Sequence, residues 1–458
     1  MTKFDAIVVG TGQSGPSLAR RLVAAGRKVA VVERKFFGGT CVNTGCTPTK
    51  TLIASAYAAH VARRGADYGV TIRGPIDVDM KAVKARKDAV VGASRGGLER
   101  SLKTLDGCTV FEGHARFTAP RQVAVNGETL TADQVFLNVG ARAAVPPIAG
   151  LDQVPFLTNS TMMDVDFLPG HLVILGGSYI GLEFAQMYRR FGSRVTVIEA
   201  MPRLIAREDE DVSKAIAEFL KDEEVDIHVG SKVTKVARQG NQIAVTVETS
   251  GQVLQVVGTH LLLAIGRRPN TDDLGLDKAG VALDERGYVT VDDQLRTNIP
   301  GIWAMGDCNG RGAFTHTSYN DFEIVAANLF DNDPRRVSDR ITAYALYTDP
   351  PLGRAGMTEA EVRKTGRPAL IATMAMEDVS RAYEKGETKG FMKILVDRDS
   401  RQILGASLLG LAGDEVIHTL LDMMYAKAPY TVMQRAMHIH PTVSELLPTM
   451  LGELKPLQ

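Results

Sequence analysis

No apolar run in this 458-residue chain reaches the roughly 18 residues expected of a membrane span. The opening "MTKFDAIVVG" is too short for a signal peptide and carries Asp5, so the reading predicts a cytoplasmic chain. Cysteine is scarce. Four residues are too few for a secreted disulfide framework, and the cytosolic thiol pool keeps purely structural pairs reduced. Excess charge of one sign is also missing: Lys+Arg and Asp+Glu number 53 each, which removes the pull toward nucleic acid or an anionic membrane. What remains, with 45% hydrophobic and 23% charged residues, is ordinary globular protein, long enough for about two to four packed units.

One internal echo organises the chain. "FDAIVVGTGQSGPSLARRLVAAGRKVAVVE" reads as apolar strand, glycine turn, amphipathic helix, second strand and closing acid, and "HLVILGGSYIGLEFAQMYRRFGSRVTVIE" repeats that order. Gly10 to Glu33 and Gly176 to Glu199 each span 23 positions. Two successive dinucleotide-binding units are implied. In the first, Gly10 and Gly12 permit a tight turn and close backbone approach to a pyrophosphate, and Gly15 lets helix and strand pack closely. Glu33 stands where a carboxylate accepts hydrogen bonds from an adenosine ribose. The second unit has Gly176 and Gly181 but places Ser178 at the middle glycine. Glu199 favours a free ribose 2′-hydroxyl and hence NADH by a modest margin, while Arg203 and Arg207 leave NADPH open.

Weaker boundaries follow. "GARAAVPPIAGLD" is a Gly/Pro-rich connection at Gly140 to Asp152, "HLLLAIGRRPNT" closes the second unit at Thr271, and "GIWAMGDCNG" is a further buried strand ending in Asp307. Composition changes again from about Tyr344.

The stretch "GGTCVNTGCTPTK" puts Cys41 and Cys46 four residues apart between glycines, ahead of Lys50. A disulfide closing so small a ring is more reducible than a long-range structural one, and a helix start with nearby cations lowers a thiol pKa. Cys108 and Cys308 have no evident partner and read as small buried hydrophobes. His60, His114, His171, His228, His260 and His418 lack metal-ligand spacing, so no metal site is expected.

Taken together, "GGTCVNTGCTPTK", the two glycine units, "AIGRRPN", "AMGDC" and "HIHPTVSE" resemble the flavoprotein disulfide reductases, a family that includes glutathione reductase, dihydrolipoamide dehydrogenase and mercuric reductase. The resemblance runs in order along almost the whole chain. It implies an α/β fold with two Rossmann-like dinucleotide-binding domains and a C-terminal α+β dimerisation domain. Residues 1–150 and 271–343 would be the two parts of an FAD-binding domain, the second also central. Residues 151–270 would bind NAD(P)H, and residues 344–458 would form the interface of a homodimer.

The same resemblance assigns roles. Gly10, Gly12, Gly15, Glu33, Gly39, Thr40, Lys50, Gly140 and Asp307 would contact FAD; Gly176, Ser178, Gly181, Glu199, Gly266 and Arg267 would complete the cofactor sites. Cys46 would be the thiol beside the flavin and Cys41 the interchange thiol that meets substrate. Lys50 and Glu183 would form an ion pair near the flavin, and Tyr179 would gate the nicotinamide pocket. His440 and Glu445 would form an acid-base dyad, with His438 accessory, acting on the dithiol of the neighbouring subunit. His316 would line the pocket.

Local readings compete with several of these. Lys50 reads also as a solvated helix lysine, Tyr179 as packing, Asp307 as a helix cap, and Thr442 with Glu445 as a capping box that merely starts the last helix. The apolar face of "VIHTLLDMMYAKA", Val416 to Ala428, suits a subunit interface or burial within its own domain.

The function so implied passes electrons from NAD(P)H through FAD and the Cys41/Cys46 pair to a small oxidised acceptor, a disulfide or a reactive oxidant such as hypothiocyanous acid. Dihydrolipoamide dehydrogenase is the alternative, weakened by the polar Thr47 and Thr49. Mercuric reductase is weakened further, because the last cysteine is Cys308 and the tail lacks the vicinal pair that captures the metal. A flavin-based redox-sensing interaction protein is the reading from another class, and it would have no need of His440 and Glu445.

Overall fold

Thr2–Val9 is buried along most of its length and pairs in parallel with Val29–Glu33 on one side and Glu128–Leu137 on the other. An apolar strand covered on both faces suits the centre of a parallel sheet. The computed structural model describes residues 1–457, and in it these three strands belong to a sheet of seven. Cys108–Glu112 forms one edge, and the antiparallel strands Gln122–Val125 and Arg116–Ala119 form the other. Ile302–Ala304 returns from far along the chain to pair with Glu128–Leu137. Separate apolar clusters cover the two faces, one around Ile7, Val135 and Phe117, the other around Val8, Leu18 and Phe136.

A second parallel sheet of five strands repeats the plan in the order Asp226–His228, Arg194–Ile198, His171–Leu175, His260–Leu263, Leu157–Thr158. An antiparallel meander, Ser231–Gln239, Gln242–Thr249 and Gln252–Gly258, is inserted between its fourth and fifth strands in chain order, Asp226–His228 and His260–Leu263. Arg267–Pro269 pairs with Ala141–Ala143, tying the exit of the second unit to that of the first.

The glycine units match in detail. Gly10 and Gly176 both have positive φ, 99° and 110°, and a Cβ on either would stand 2.4 Å from a backbone oxygen, of Asn138 and Ala264 respectively. A Cβ on Gly15 would lie 2.3 Å from the Gly10 oxygen, and one on Gly181 1.9 Å from that of Gly176. Backbone-to-backbone approach of that kind excludes any side chain and packs the first turns of the helices Gly15–Ala24 and Tyr179–Phe191 against their glycine loops.

Residues 343–456 build a six-stranded antiparallel sheet. Helix Gly413–Tyr425 lies on it and buries Val416, Ile417 and Leu420 among Ile394, Ala406 and Leu408. Of the two readings of that apolar face, burial within its own sheet domain accounts for these residues. No helix among the described residues is long and apolar enough to cross a membrane.

Candidate active site

The chain passes from the first glycine loop into the dithiol segment. The Gly38 amide donates to the Thr11 carbonyl oxygen at 3.0 Å, and a Cβ on Gly39 would sit 3.0 Å from the Gly12 Cα. Gly39–Thr44 is a short helix carrying Thr40 and Cys41; Gly45 breaks it, and Cys46 is the first residue of the helix Cys46–Arg63. Pro48 fits in the first turn of that helix, where no intrahelical amide donor is needed.

Both cysteines are reduced, Cys46 exposed and Cys41 half-buried. Cys46 Sγ lies 3.2 Å from the hydroxyl of Thr315, the first residue of the helix Thr315–Ala326. A hydrogen bond from Cys41 lowers the Cys46 thiol to about 6, helped by Thr315 and the Lys50 charge and opposed by burial. The same hydrogen bond, followed by burial, pushes the Cys41 thiol up. The pair is therefore polarised, with the negative charge on Cys46 and the proton on Cys41.

One helical turn beyond Cys46, Lys50 Nζ lies 2.8 and 2.7 Å from the two carboxylate oxygens of Glu183. Glu183 is buried on the helix of the second glycine unit, and its carboxylate also accepts the Tyr347 backbone amide at 3.1 Å. The Tyr347 ring centroid is 4.5 Å from Lys50 Nζ. Segments belonging to all three large sheet regions thus meet at one ion pair, which makes the solvated-lysine reading untenable.

Tyr179 is the first residue of its helix, half-buried, with its ring nearly perpendicular to those of Phe314 and Tyr344, at 5.9 and 5.4 Å between centroids. Phe314 and Tyr344 stack on each other at 5.5 Å, and His316 stacks on Phe314 at 5.3 Å while bonding the Ala343 oxygen at 2.7 Å. Burial raises the Tyr179 phenol to about 12 against the pull of the Tyr344 hydroxyl, which faces it without completing a hydrogen bond.

A second group forms around Asp307. It lies beyond the strand Ile302–Ala304, in the turn Gly306–Asn309, and caps no helix. Its carboxylate pairs with Arg267 at 3.2 Å, and Arg267 also donates to the Ala141 oxygen at 2.6 Å. Burial pushes the Asp307 carboxyl up against the pull of Arg267. Arg267 comes within 3.5 Å of the Thr40 hydroxyl, and its Nε is buried without a partner.

The two strand-end acids do the same local work. Glu33 accepts the amides of Thr11 and Lys35 at 3.0 and 2.9 Å; Glu199 accepts those of Gly177 and Met201, the matching positions, at 2.6 and 2.7 Å. Each carboxylate fastens a glycine loop to the neighbouring strand. Ser178 is exposed at the helix N-cap without a capping side-chain bond, and Gly140 and Gly266 occupy equivalent bends with open space where a Cβ would be. Arg203 is turned into its own loop, donating to the oxygens of Ala206 and Glu208 at 3.2 Å each, whereas Arg207 is exposed.

At the far end, Nδ1 of His440 lies 3.0 Å from both oxygens of Glu445. The capping box does not start the last helix: the Glu445 and Thr442 amides do bond reciprocally to the partner side chain at 3.3 Å, but they close the turn ahead of that helix, which starts at Leu446 with Glu445 as its N-cap and no capping side-chain bond. Glu445 both shapes the turn and orients the imidazole. No hydrogen bond joins His440 to Cys41 or Cys46 among the described residues, and the His440 side chain is largely exposed. His438 bonds the Ala436 oxygen at 3.1 Å, and Cys308 is fully buried.

Sequence reasoning missed Thr315, Phe314, Tyr344, Tyr347 and Asn138. Asn138 is buried and bridges the Gly15 amide, at 3.0 Å, to the Met305 oxygen, at 3.1 Å. "FTHTSYND" had drawn attention only to His316, and a polar asparagine closing an apolar strand was the one local signal for Asn138.

Comparison with known proteins identifies the family. Residues 4–321 match the family model for pyridine nucleotide-disulphide oxidoreductases, and residues 342–451 match the dimerisation domain of the same family. A probable pyridine nucleotide-disulfide oxidoreductase of Escherichia coli, RclA, is 36% identical over 99% of this chain and 100% of its own length. Mercuric reductase of Streptomyces lividans is 34% identical over 97% of this chain and 95% of that protein; dihydrolipoyl dehydrogenase of Chlamydia muridarum is 31% identical with the same coverage. The solved structure of the HOCl-induced flavoprotein disulfide reductase RclA from Escherichia coli superposes with a TM-score of 0.90 at 35% identity, covering 98% of this chain and 100% of that one. The chain belongs to the pyridine nucleotide-disulphide oxidoreductase family and is an FAD- and NAD(P)H-dependent flavoprotein disulfide reductase.

Proposed function

We propose that the Cys41/Cys46 pair is the redox centre through which this enzyme reduces a small oxidised electrophile, with hypothiocyanous acid as the leading acceptor. The polarised pair carries the reading: a Cys46 thiolate held by Thr315 and Lys50, beside a protonated Cys41. Bound FAD would supply the redox chemistry that links NAD(P)H to the Cys41–Cys46 disulfide, a two-electron carrier that the chain itself lacks. The chain fits it, because Gly12 and Gly39 approach too closely for side chains, and the buried Arg267 Nε beside Asp307 awaits an acceptor.

The protein's own residues then divide the work. Lys50, fixed by Glu183, places positive charge where negative charge collects on Cys46. Cys41 loses its proton to the His440 imidazole, which Glu445 orients, and attacks the electrophilic sulfur of hypothiocyanous acid; a Cys41 S–SCN bond forms and water leaves. Cys46 attacks the Cys41 sulfur, the disulfide closes and thiocyanate departs. The balance is two thiols and one HOSCN giving one disulfide, thiocyanate, a proton and water.

The residue roles extend to assembly and nucleotide choice. Residues 1–150 with 271–343 serve FAD, 151–270 serve the nucleotide, and 344–458 pair two subunits so that His440 of one chain acts on the dithiol of the other. Support comes from the segment around the dyad, where Met437 and Ile439 are 98% and 80% exposed in the single chain. NADH is the preferred donor, because a carboxylate at Glu199 beside the second glycine loop favours a free ribose 2′-hydroxyl over a 2′-phosphate and Arg203 is committed to its own loop. Tyr179 covers the nicotinamide pocket. A panel of hypothiocyanous acid, lipoamide, glutathione disulfide, mercuric ion and quinones, run on the holoenzyme with both nucleotides, tests this. Hypothiocyanous acid is expected to give the highest kcat/KM, and a higher value for lipoamide would replace the assignment with that of a dihydrolipoyl dehydrogenase.

A further inference from the structure

One buried charge network lies outside the groups around the dithiol. Glu208 and Arg354 are each 1% exposed. Arg354 Nε donates to Glu208 Oε2 at 3.1 Å and its Nη2 closes the pair. Next to them Asp209 accepts from the N-terminal amides of helix Glu359–Thr365 and pairs with the buried Lys393 at 3.1 Å, which also holds Asp211 and Glu359. Glu208 and Asp209 come from the loop that follows Glu199; Arg354, Glu359 and Lys393 come from the C-terminal sheet domain. The network therefore clamps the nucleotide-side loop to that domain.

Glu208 has a second oxygen, and Tyr344 uses it. The Tyr344 hydroxyl donates to Glu208 Oε1 at 2.5 Å, which fixes the ring that stacks on Phe314 and meets the Tyr179 ring edge-on. Tyr179 is thus held by two rings, one of which is anchored to a buried carboxylate. Opposing this hold, the Tyr179 hydroxyl is buried with no partner, a cost relieved when the side chain swings toward water. The ring contacts hold Tyr179 in place, while its unpartnered hydroxyl reduces the cost of displacing it.

We propose that Tyr344 and Glu208 are positioning residues for the Tyr179 gate, setting how readily it yields to an incoming nicotinamide. This rests on the reading of Tyr179 as the gate. Without the Tyr344–Glu208 bond the ring box loosens, the closed position loses its advantage, and the nicotinamide binds with less of its affinity spent on opening.

The test uses Tyr344→Phe, which keeps the ring and the Glu208–Arg354 pair, and Glu208→Gln as a second variant. The dissociation constant of the oxidised holoenzyme for a non-reducing tetrahydro-NAD analogue is measured by equilibrium titration, alongside quenching of flavin fluorescence by iodide. Tyr344→Phe is expected to lower the constant about 3- to 10-fold and to increase quenching. In a Tyr179→Ala background the same substitution is expected to change neither, because its effect runs through Tyr179. An equal shift in both backgrounds, or no shift in either variant with Tyr179 present, overturns the proposal. If Tyr179→Ala alone changes neither binding nor quenching, the gate reading itself fails, and the proposal with it.

Discussion

Cys46 Sγ and the Thr315 hydroxyl lie 3.2 Å apart although 269 residues separate them in the chain. Thr315 opens a helix, Cys46 opens another, and the two N-termini are brought together at the sulfur that carries negative charge. Both helix ends and both hydroxyl and thiol donors favour a thiolate there.

Thr315→Val tests that contact. Removing a hydrogen bond to a charged acceptor is expected to raise the Cys46 midpoint from about 6 by roughly one pH unit, equivalent to ~1.4 kcal/mol. In the reduced wild-type protein the thiolate is populated above about pH 6 and lost as pH falls through that value. Alkylation rate against pH, with mass-spectrometric assignment to Cys46, reads both midpoints. An unchanged midpoint in the variant removes Thr315 from the account.

Lys50→Met leaves the buried Glu183 carboxylate with only the Tyr347 amide as donor. Flavin reduction of the dithiol is expected to slow about 100-fold, and thermal stability to fall by ~3 kcal/mol, discounted from a fully buried pair because the Lys50 side chain is one-third exposed (33%). Rapid-mixing kinetics and thermal unfolding are the measurements. Retention of both properties would show the ion pair to be incidental.

Gly15→Ala inserts a Cβ 2.3 Å from the Gly10 oxygen. Neither backbone segment has room to move without disturbing the Asn138 bridge, so a loss of about 2–3 kcal/mol and sharply reduced FAD content on purification are expected. Flavin-to-protein absorbance and the melting temperature check this, with Gly127→Ala, a site with no atom within 4 Å but a positive φ of 83°, as a comparison for conformational strain alone.

Co-assembling Cys46→Ser chains with His440→Ala chains tests the shared site. Each homodimer is expected to be nearly inactive, and a mixed dimer to regain one working centre. Activity that fails to return in verified heterodimers places both groups in one chain.

Arg203→Ala is expected to leave the NADH to NADPH ratio of kcat/KM within about twofold of wild type, because its side chain already serves the Ala206 and Glu208 oxygens. Steady-state kinetics with both nucleotides decide it. A collapse of NADPH use would instead identify Arg203 as the phosphate contact.

The two nucleotide-binding units and the dithiol were legible because their physics is local. A tight turn at Gly10, close packing at Gly15 and the small ring between Cys41 and Cys46 depend on residues a few positions apart, so spacing carries the information. The matching pairs Glu33 with Thr11 and Glu199 with Gly177 lie 22 positions apart within one strand-helix-strand unit, which explains why the acids were readable as well. Tertiary structure alone placed Thr315 on Cys46, Tyr347 over Lys50, and Tyr344 between Glu208 and Tyr179. These residues sit in unremarkable local patterns and take their roles from surfaces that meet only when the separate sheet regions pack together. His440 marks the same divide: its pairing with Glu445 is set by five residues of chain, while the proposed action on a neighbouring subunit's dithiol depends on how two copies pack.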